Sequence, residues 1–457
     1  MKILSKAVIG IMALLSLVCM SCEKLLKVQP PANQINRGLV FEDQQTANAA
    51  LAGLYAGIRE NSIIAGDKLG PILGAYTDEL DQHASTTANA IFDIYQNQQI
   101  ESNSVVYTAW QSTYQQVYAA NAILQGVESA TKIVSGEKNR LRGETLFLRS
   151  LLLFYLQQHF GDIPYPRTTD YLDNGKLVKT PAAQVLRSLE ADLRESASLL
   201  NDANSNTERI FANKKTAEML LAKVLMEQRR WADAEVLLQN IIQSGQYSWE
   251  ADLNKVFVKT GKHVIWQLKP SLDGVPTQEA NIYYFGNAAP TGYAISANLY
   301  NAFANSDQRK QKWITSVTVG ANTWYRAYKY KLTLNNSTEY SIIFRLEEAY
   351  LLLAEALANQ DKVAQGVPYV NASRQRAGLI ALPLTISRPE LSDEILEENR
   401  REFFAEMGKR FFDLKRAGQL ERLKQTKPNW KTFHQLWPLP QKDLLLNPAL
   451  NPQNLGY

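Results

Sequence analysis

Residues 217–242 read AEMLLAKVLMEQRRWADAEVLLQNII, and their spacing decides the fold class. Ala217, Leu220, Leu221, Val224 and Leu225 recur at the period of one apolar helix face. After Arg230-Trp231 the same spacing returns in Ala234, Leu237, Leu238, Ile241 and Ile242. Two helices joined by so short a turn must pack antiparallel. Small residues at Ala217, Ala222 and Ala234 let their backbones approach closely.

This is the hairpin unit of a tetratricopeptide-type repeat. A second copy begins at Ala349, Leu352, Leu353, Ala356 and Leu357, with a partner helix over Lys362–Arg376 stopped by Gly378. The two copies lie too far apart for a tandem solenoid. Further helices are predicted over Ala47–Arg59, over Val105–Val127 (with Trp110, Tyr114 and Tyr118), and over Pro181–Leu200. Another is predicted over Gly136–Phe160, whose apolar stripe runs through Gly143, Leu146, Phe147, Ser150, Leu151 and Phe154 until Gly161-Asp162-Ile163-Pro164 ends it. Between the two hairpins, residues 245–344 hold 17 aromatics in 100 positions. There His263–Lys269 and Thr323–Leu332 predict short strands and the rest predicts loops. The expected fold is mainly α: a tetratricopeptide-repeat-like helix-hairpin scaffold with a loop-rich, aromatic-rich insertion containing a few short strands.

The N-terminus predicts export. Lys2 and Lys6 precede an apolar run, Ala7–Met20, that is too short to span a bilayer of roughly 20 residues. Ser21-Cys22 resembles a bacterial lipobox, with Met20 where a smaller residue is usual. Residues 1–21 are therefore expected to be a signal peptide, Cys22 a lipidated (palmitate-type) N-terminus, 22–45 a tether, and 46–457 a single domain. Cys19 and Cys22 are the only cysteines, so the mature chain has no internal disulfide and relies on its core. The net charge of +4 is spread without long single-sign blocks, which argues against nucleic acid as a partner.

Residues 394–416 read EILEENRREFFAEMGKRFFDLKR. Leu436-Trp437-Pro438-Leu439-Pro440 follows, and the chain ends in Asn451-Pro452-Gln453-Asn454-Leu455-Gly456-Tyr457. With Phe147-Leu148-Arg149 and Phe160-Gly161-Asp162-Ile163-Pro164 upstream, this resembles the SusD/RagB family of outer-membrane nutrient-uptake lipoproteins. Asn399 and Met407 depart from the family pattern. The C-terminal segment itself predicts one charged helix, in which Glu402, Glu406, Arg410 and Asp413 pair along one face. Phe403, Phe404, Phe411 and Phe412 would anchor it and Trp437 would plug the core.

No sequence signature of catalysis is present, and His83, His159, His263 and His434 show no metal-ligand spacing. No enzyme activity, metal or cofactor is expected. The resemblance implies capture of an oligo- or polysaccharide at the cell surface and delivery to a SusC-like TonB-dependent transporter. The alternative is the peptide-binding lid of a RagA-like TonB-dependent importer. A sugar site needs aromatic platforms beside hydrogen-bonding groups. Two segments offer them: Tyr76, Asp78, Asp81, His83, Phe92 and Tyr95, and, within the insertion, Tyr283, Tyr284, Asn287, Trp324 and Tyr325.

Overall fold

The computed structural model describes residues 40–83 and 89–457. The expected signal peptide, Cys22 and most of the tether lie outside the described residues. Eleven of the described helices have eight or more residues: α1 (Gln44–Asn61), α2 (Leu69–Tyr76), α3 (Ser104–Ser129), α4 (Ser135–Phe160), α5 (Ala182–Leu199), α6 (Lys214–Glu227), α7 (Trp231–Ile242), α8 (Leu346–Ala358), α9 (Val363–Arg376), α10 (Arg388–Phe403) and α11 (Lys409–Arg416).

Helices α3 to α10 pack each on the next. The α6–α7 hairpin buries Ala217, Leu220, Leu221, Ala222, Val224, Leu225, Ala234, Leu238 and Ile241, and the side chain of Asn213 caps α6. Helix α7 then packs directly on α8, although residues 243–345 separate them in the chain. The two hairpins that sequence spacing set apart are thus neighbours in space. Helix α4 departs from its expected stripe. Every residue from Gly143 to Phe160 is buried, because α1, α3, α5 and α6 surround it. His159 takes a core role, its Nδ1 set 2.7 Å from the Tyr155 carbonyl, and burial pulls its pKa down to about 3.

Six strands are described: β1 (Leu80–Gln82), β2 (Val264–Leu268), β3 (Tyr293–Ile295), β4 (Ile314–Val319), β5 (Asn322–Ala327) and β6 (Ser341–Arg345). They form an antiparallel sheet in the order β1-β3-β5-β4 and a separate β2-β6 pair. The strand expected through Leu332 stops at Ala327. Beyond it, the Glu339 carboxylate accepts the N–H groups of Lys331 and Leu332, so that backbone needs no partner strand. The insertion also holds three short helices, capped by the side chains of Thr277, Ser296 and Asp307, where the sequence predicted loops.

The single charged C-terminal helix is corrected to two. Ala405, Met407 and Gly408 adopt positive φ between α10 and α11. The expected ladder along one face is corrected with it: Glu402, Glu406 and Arg410 find their partners in distant parts of the chain, while Asp413 pairs locally within α11. Glu402 meets Arg309 at 3.1 Å and Arg345 at 2.6 Å, and also pairs with Arg376. Glu406 meets Arg345 at 3.0 Å, Arg410 meets Asp78 at 3.1 Å, and Asp413 meets Arg416 at 2.7 Å. Phe403, Phe404, Phe411, Phe412 and Trp437 are buried, as expected.

Candidate functional site

The four-stranded sheet joins the two candidate segments. Strand β1 comes from the first; β3 and β5 come from the insertion. Asp81 lies opposite Ala294, Ile295 opposite Tyr325, and the His83 N–H donates to the Gly292 carbonyl at 2.8 Å. Alternation along the strands puts Asp81, Ala294, Trp324 and Arg326 on one face and Gln82, Tyr293, Ile295 and Tyr325 on the other. Strands β1 and β5 flank β3, two strand spacings or about 10 Å apart.

An aromatic platform stands on the Trp324 face. The Arg326 guanidinium lies 4.8 Å from the Tyr284 ring and 5.2 Å from the Tyr328 ring, and its Nη1 donates to the Phe285 carbonyl at 2.7 Å. That bond and the two rings fix the guanidinium between them. Tyr284 is 54% exposed, so the platform has an open side. On the opposite sheet face, Tyr325 stacks on Tyr300 of the short Ala297–Ala302 helix at 3.6 Å and 12°, with Lys310 at 4.1 Å from the Tyr300 ring. Asn287 is exposed nearby in sequence.

At the β1 end, the Tyr95 hydroxyl donates to Asp81 at 3.1 Å, and Phe92 lies 5.8 Å from the Tyr95 ring. Burial, then the Asp81 charge, pushes Tyr95 up to about 12. Lys427 sits 3.9 Å from the same ring, and burial pulls its pKa down to about 8. Burial also lowers the half-buried His83.

Three expected site residues are interior instead. Tyr76 is fully buried and its hydroxyl donates to the His434 carbonyl at 2.8 Å. Tyr283 is buried and donates to the Ala405 carbonyl at 2.9 Å. Asp78 is buried against Arg400 and Arg410; burial opposes its ionisation, but these two guanidiniums hold its carboxyl below the usual range. A tyrosine or aspartate in a core looks no different in sequence from one at a site, provided the core supplies its partners.

A cavity of about 420 Å³ opens on the other sheet face, between α2 and α3. Gln82, Ile91 and Tyr293 line it together with Asp67, Lys68, Ser104 and Thr108. None of the residues picked from sequence lines it; their immediate neighbours do. Arg326 was missed as well. The alternation Trp324, Arg326, Tyr328 was the signal that pointed to it. Among the described residues no group of three His, Cys, Asp or Glu side chains could hold a metal, and no helix is long and apolar enough to cross a membrane.

Residues 26–226 match the SusD-like family described as starch-binding and associating with the outer membrane, and residues 296–457 match the SusD family. The chain belongs to the SusD/RagB family. It is 23% identical to SusD-like protein P25 of Formosa agariphila over 513 aligned positions, which cover 96% of this chain and 97% of that one. A SusD superfamily protein of Bacteroides vulgatus superposes with a TM-score of 0.81 at 21% identity, covering 91% of this chain and all of that one. A laminarin-binding SusD-like protein gives a TM-score of 0.79 at 20% identity, again over 91% of this chain and all of its own. Surface glycan-binding protein A of Bacteroides uniformis gives 0.77 at 18%, over 90% of this chain and 99% of its own. These likenesses establish the fold.

Proposed function

We propose that this SusD/RagB protein is a cell-surface glycan receptor, lipid-anchored to the outer membrane through Cys22, that hands its ligand to a SusC-like TonB-dependent transporter. The observation that carries the reading is the Tyr284–Arg326–Tyr328 platform beside Trp324 on an open strand face. Sugar rings offer apolar C–H faces to such rings, and their hydroxyls accept from a guanidinium already held in place. Fold relatives named for laminarin and surface-glycan binding support the same ligand class. No bond chemistry is assigned: Asp78 is engaged by two arginines and Glu79 is sealed in the core. A tether raises the effective concentration of receptor at the transporter, so modest intrinsic affinity suffices.

Calorimetric titration of the mature chain against laminarin and other plant, host and microbial glycans, with mixed peptides alongside, tests the reading. Saturable glycan binding, weakened at least tenfold by Trp324→Ala or Tyr284→Ala, is the expected result. Binding of peptides alone would move the protein to the peptide-importer reading. Cys22→Ala should release the protein from the membrane fraction, and retention would remove the anchor from the proposal.

A further inference from the structure

A second concavity, of about 600 Å³, lies between α3, the loop after α4 and the C-terminal segment. None of the platform residues lines it, and it shares no lining residue with the cavity between α2 and α3. Trp110, Tyr114 and Tyr118 follow one another at four-residue intervals along α3 and form one wall. They grade from the buried Trp110 through the half-buried Tyr114 to Tyr118, which is 52% exposed. The Trp110 and Tyr114 rings lie 4.8 Å apart, and the Tyr114 hydroxyl donates to the Pro164 carbonyl at 2.8 Å. On the other walls, Asn174 donates to the Thr168 carbonyl at 2.9 Å and Asn447 to the Leu177 carbonyl at 2.8 Å. The walls are thus set before anything binds, which spares a ligand the cost of ordering them.

Its polar groups are almost all uncharged. Asp443 is the one charged residue among the described residues that line it, and no lysine or arginine does. A phosphate, sulfate or uronate would find no counter-charge there. Asn174 Oδ1 and one carboxylate oxygen of Asp443, Oδ2, are shielded from bulk water and have no hydrogen-bond partner among the described residues. Acceptors in that state are satisfied by an ordered water or by a ligand's donor. The exposed Gln111 and Gln115 add amide groups along the same edge of α3. A proline-rich peptide brings apolar contacts but few donors, since proline lacks an N–H. A neutral sugar brings both: C–H faces for the rings, and hydroxyls that donate to the acceptors and accept from the amides. The volume falls within the range of about 300–1,000 Å³ that holds small ligands.

We propose that this concavity is a second saccharide site, for a short stretch of neutral glycan, separate from the Tyr284–Arg326–Tyr328 platform. It rests on the glycan reading above and adds a second point of attachment on the same chain. A polymer long enough to engage both sites is held more tightly than a short oligosaccharide, with no new contact.

The test is calorimetric titration with maltotriose, laminaritriose, xylotriose, mannotriose and galactotriose. The protein is the mature chain, first unmodified and then with its platform removed by Trp324→Ala/Tyr284→Ala. At least one trisaccharide is expected to bind the platform-removed chain saturably. Adding Tyr118→Ala to that background should weaken the binding at least tenfold, and adding Gln115→Ala at least threefold. Both side chains are exposed, so the fold should persist, which unchanged thermal melting checks. Silence of the platform-removed chain, with the unmodified chain still binding, overturns the second site and leaves the glycan reading standing. Silence of both overturns the second site and counts against the glycan reading as well. Binding to the platform-removed chain that survives Tyr118→Ala overturns the assignment to this concavity. Saturable binding of a proline-rich peptide that Tyr118→Ala abolishes, with no trisaccharide bound, would make it a peptide site and likewise overturn the proposal.

Discussion

Glu402 sits where three guanidinium groups converge, from Arg309, Arg345 and Arg376, and all four side chains are shut away from solvent. Burial alone would penalise its charge; Arg376, Arg345 and Arg309 together outweigh that and hold its carboxyl well below the usual range. Such a cluster is tolerable only while complete, since each unpaired buried ion costs several kcal/mol. Glu402→Gln is therefore expected to destabilise the fold by about 3–5 kcal/mol in urea unfolding. A loss under about 1 kcal/mol would mean that Glu347, Glu398 and Glu406 neutralise the arginines unaided. Glu279 makes the opposite case. Burial pushes its carboxyl up to about 7, against the help of the Ser341 hydroxyl. The folded state then holds a proton that the unfolded chain has released. Stability should fall as pH rises from about 4.5 to 7, and stay reduced above that. Glu279→Gln should flatten that limb and gain on the order of a few kcal/mol at pH 8. An unchanged pH profile would remove Glu279 as its source. At this scale the sequence shows residue types and hides their partners. Arg309 and Arg345 lie 93 and 57 positions from Glu402, and no local spacing reports that. Tyr76 and Tyr284 are likewise one residue type, yet one is core and the other open surface.

Elements with a long apolar period were legible: the α6–α7 and α8–α9 hairpins, α3, α4 and α5 all lie where their spacing predicts. Elements set by capping or by a distant strand were not. The three short insertion helices carry too few turns to show a period, and β1 has three residues whose partner strand starts beyond residue 290. The break between α10 and α11 was hidden for another reason. The residues around it favour helix, and tertiary packing overrides them. Gly408 is central there. It holds φ at 64°, and a Cβ would stand 2.4 Å from Leu73 Cδ1 and 3.1 Å from the Leu69 carbonyl oxygen. Gly408→Ala adds left-handed strain of about 1–2 kcal/mol to overpacking of about 1–3 kcal/mol. The expected loss is thus about 2–5 kcal/mol in denaturant unfolding. A neutral substitution would show that α2 can yield to the added methyl.

Across the whole molecule, the helical stack runs unbroken from α3 to α10 while the aromatic insertion leaves it after α7 and returns at α8. Composition marked the insertion as distinct, but its attachment follows from charge. Arg309, inside the insertion, meets Glu398 at 2.7 Å and Glu402 at 3.1 Å in α10. Lys329, also inside it, is buried against Glu406 in the turn that follows α10. Strand β1 enters the insertion's sheet from a different part of the chain. Separating sheet from stack would expose or orphan these ions, at several kcal/mol each. The two parts should therefore unfold together. Differential scanning calorimetry is expected to give one transition, with calorimetric and van't Hoff enthalpies equal. Arg309→Met removes the principal stitch and should lower that transition, or split it with the sheet melting first. Two well-separated transitions in the unmodified protein would instead make the insertion a unit that folds by itself, and the aromatic platform could then be studied apart from the helices that carry it.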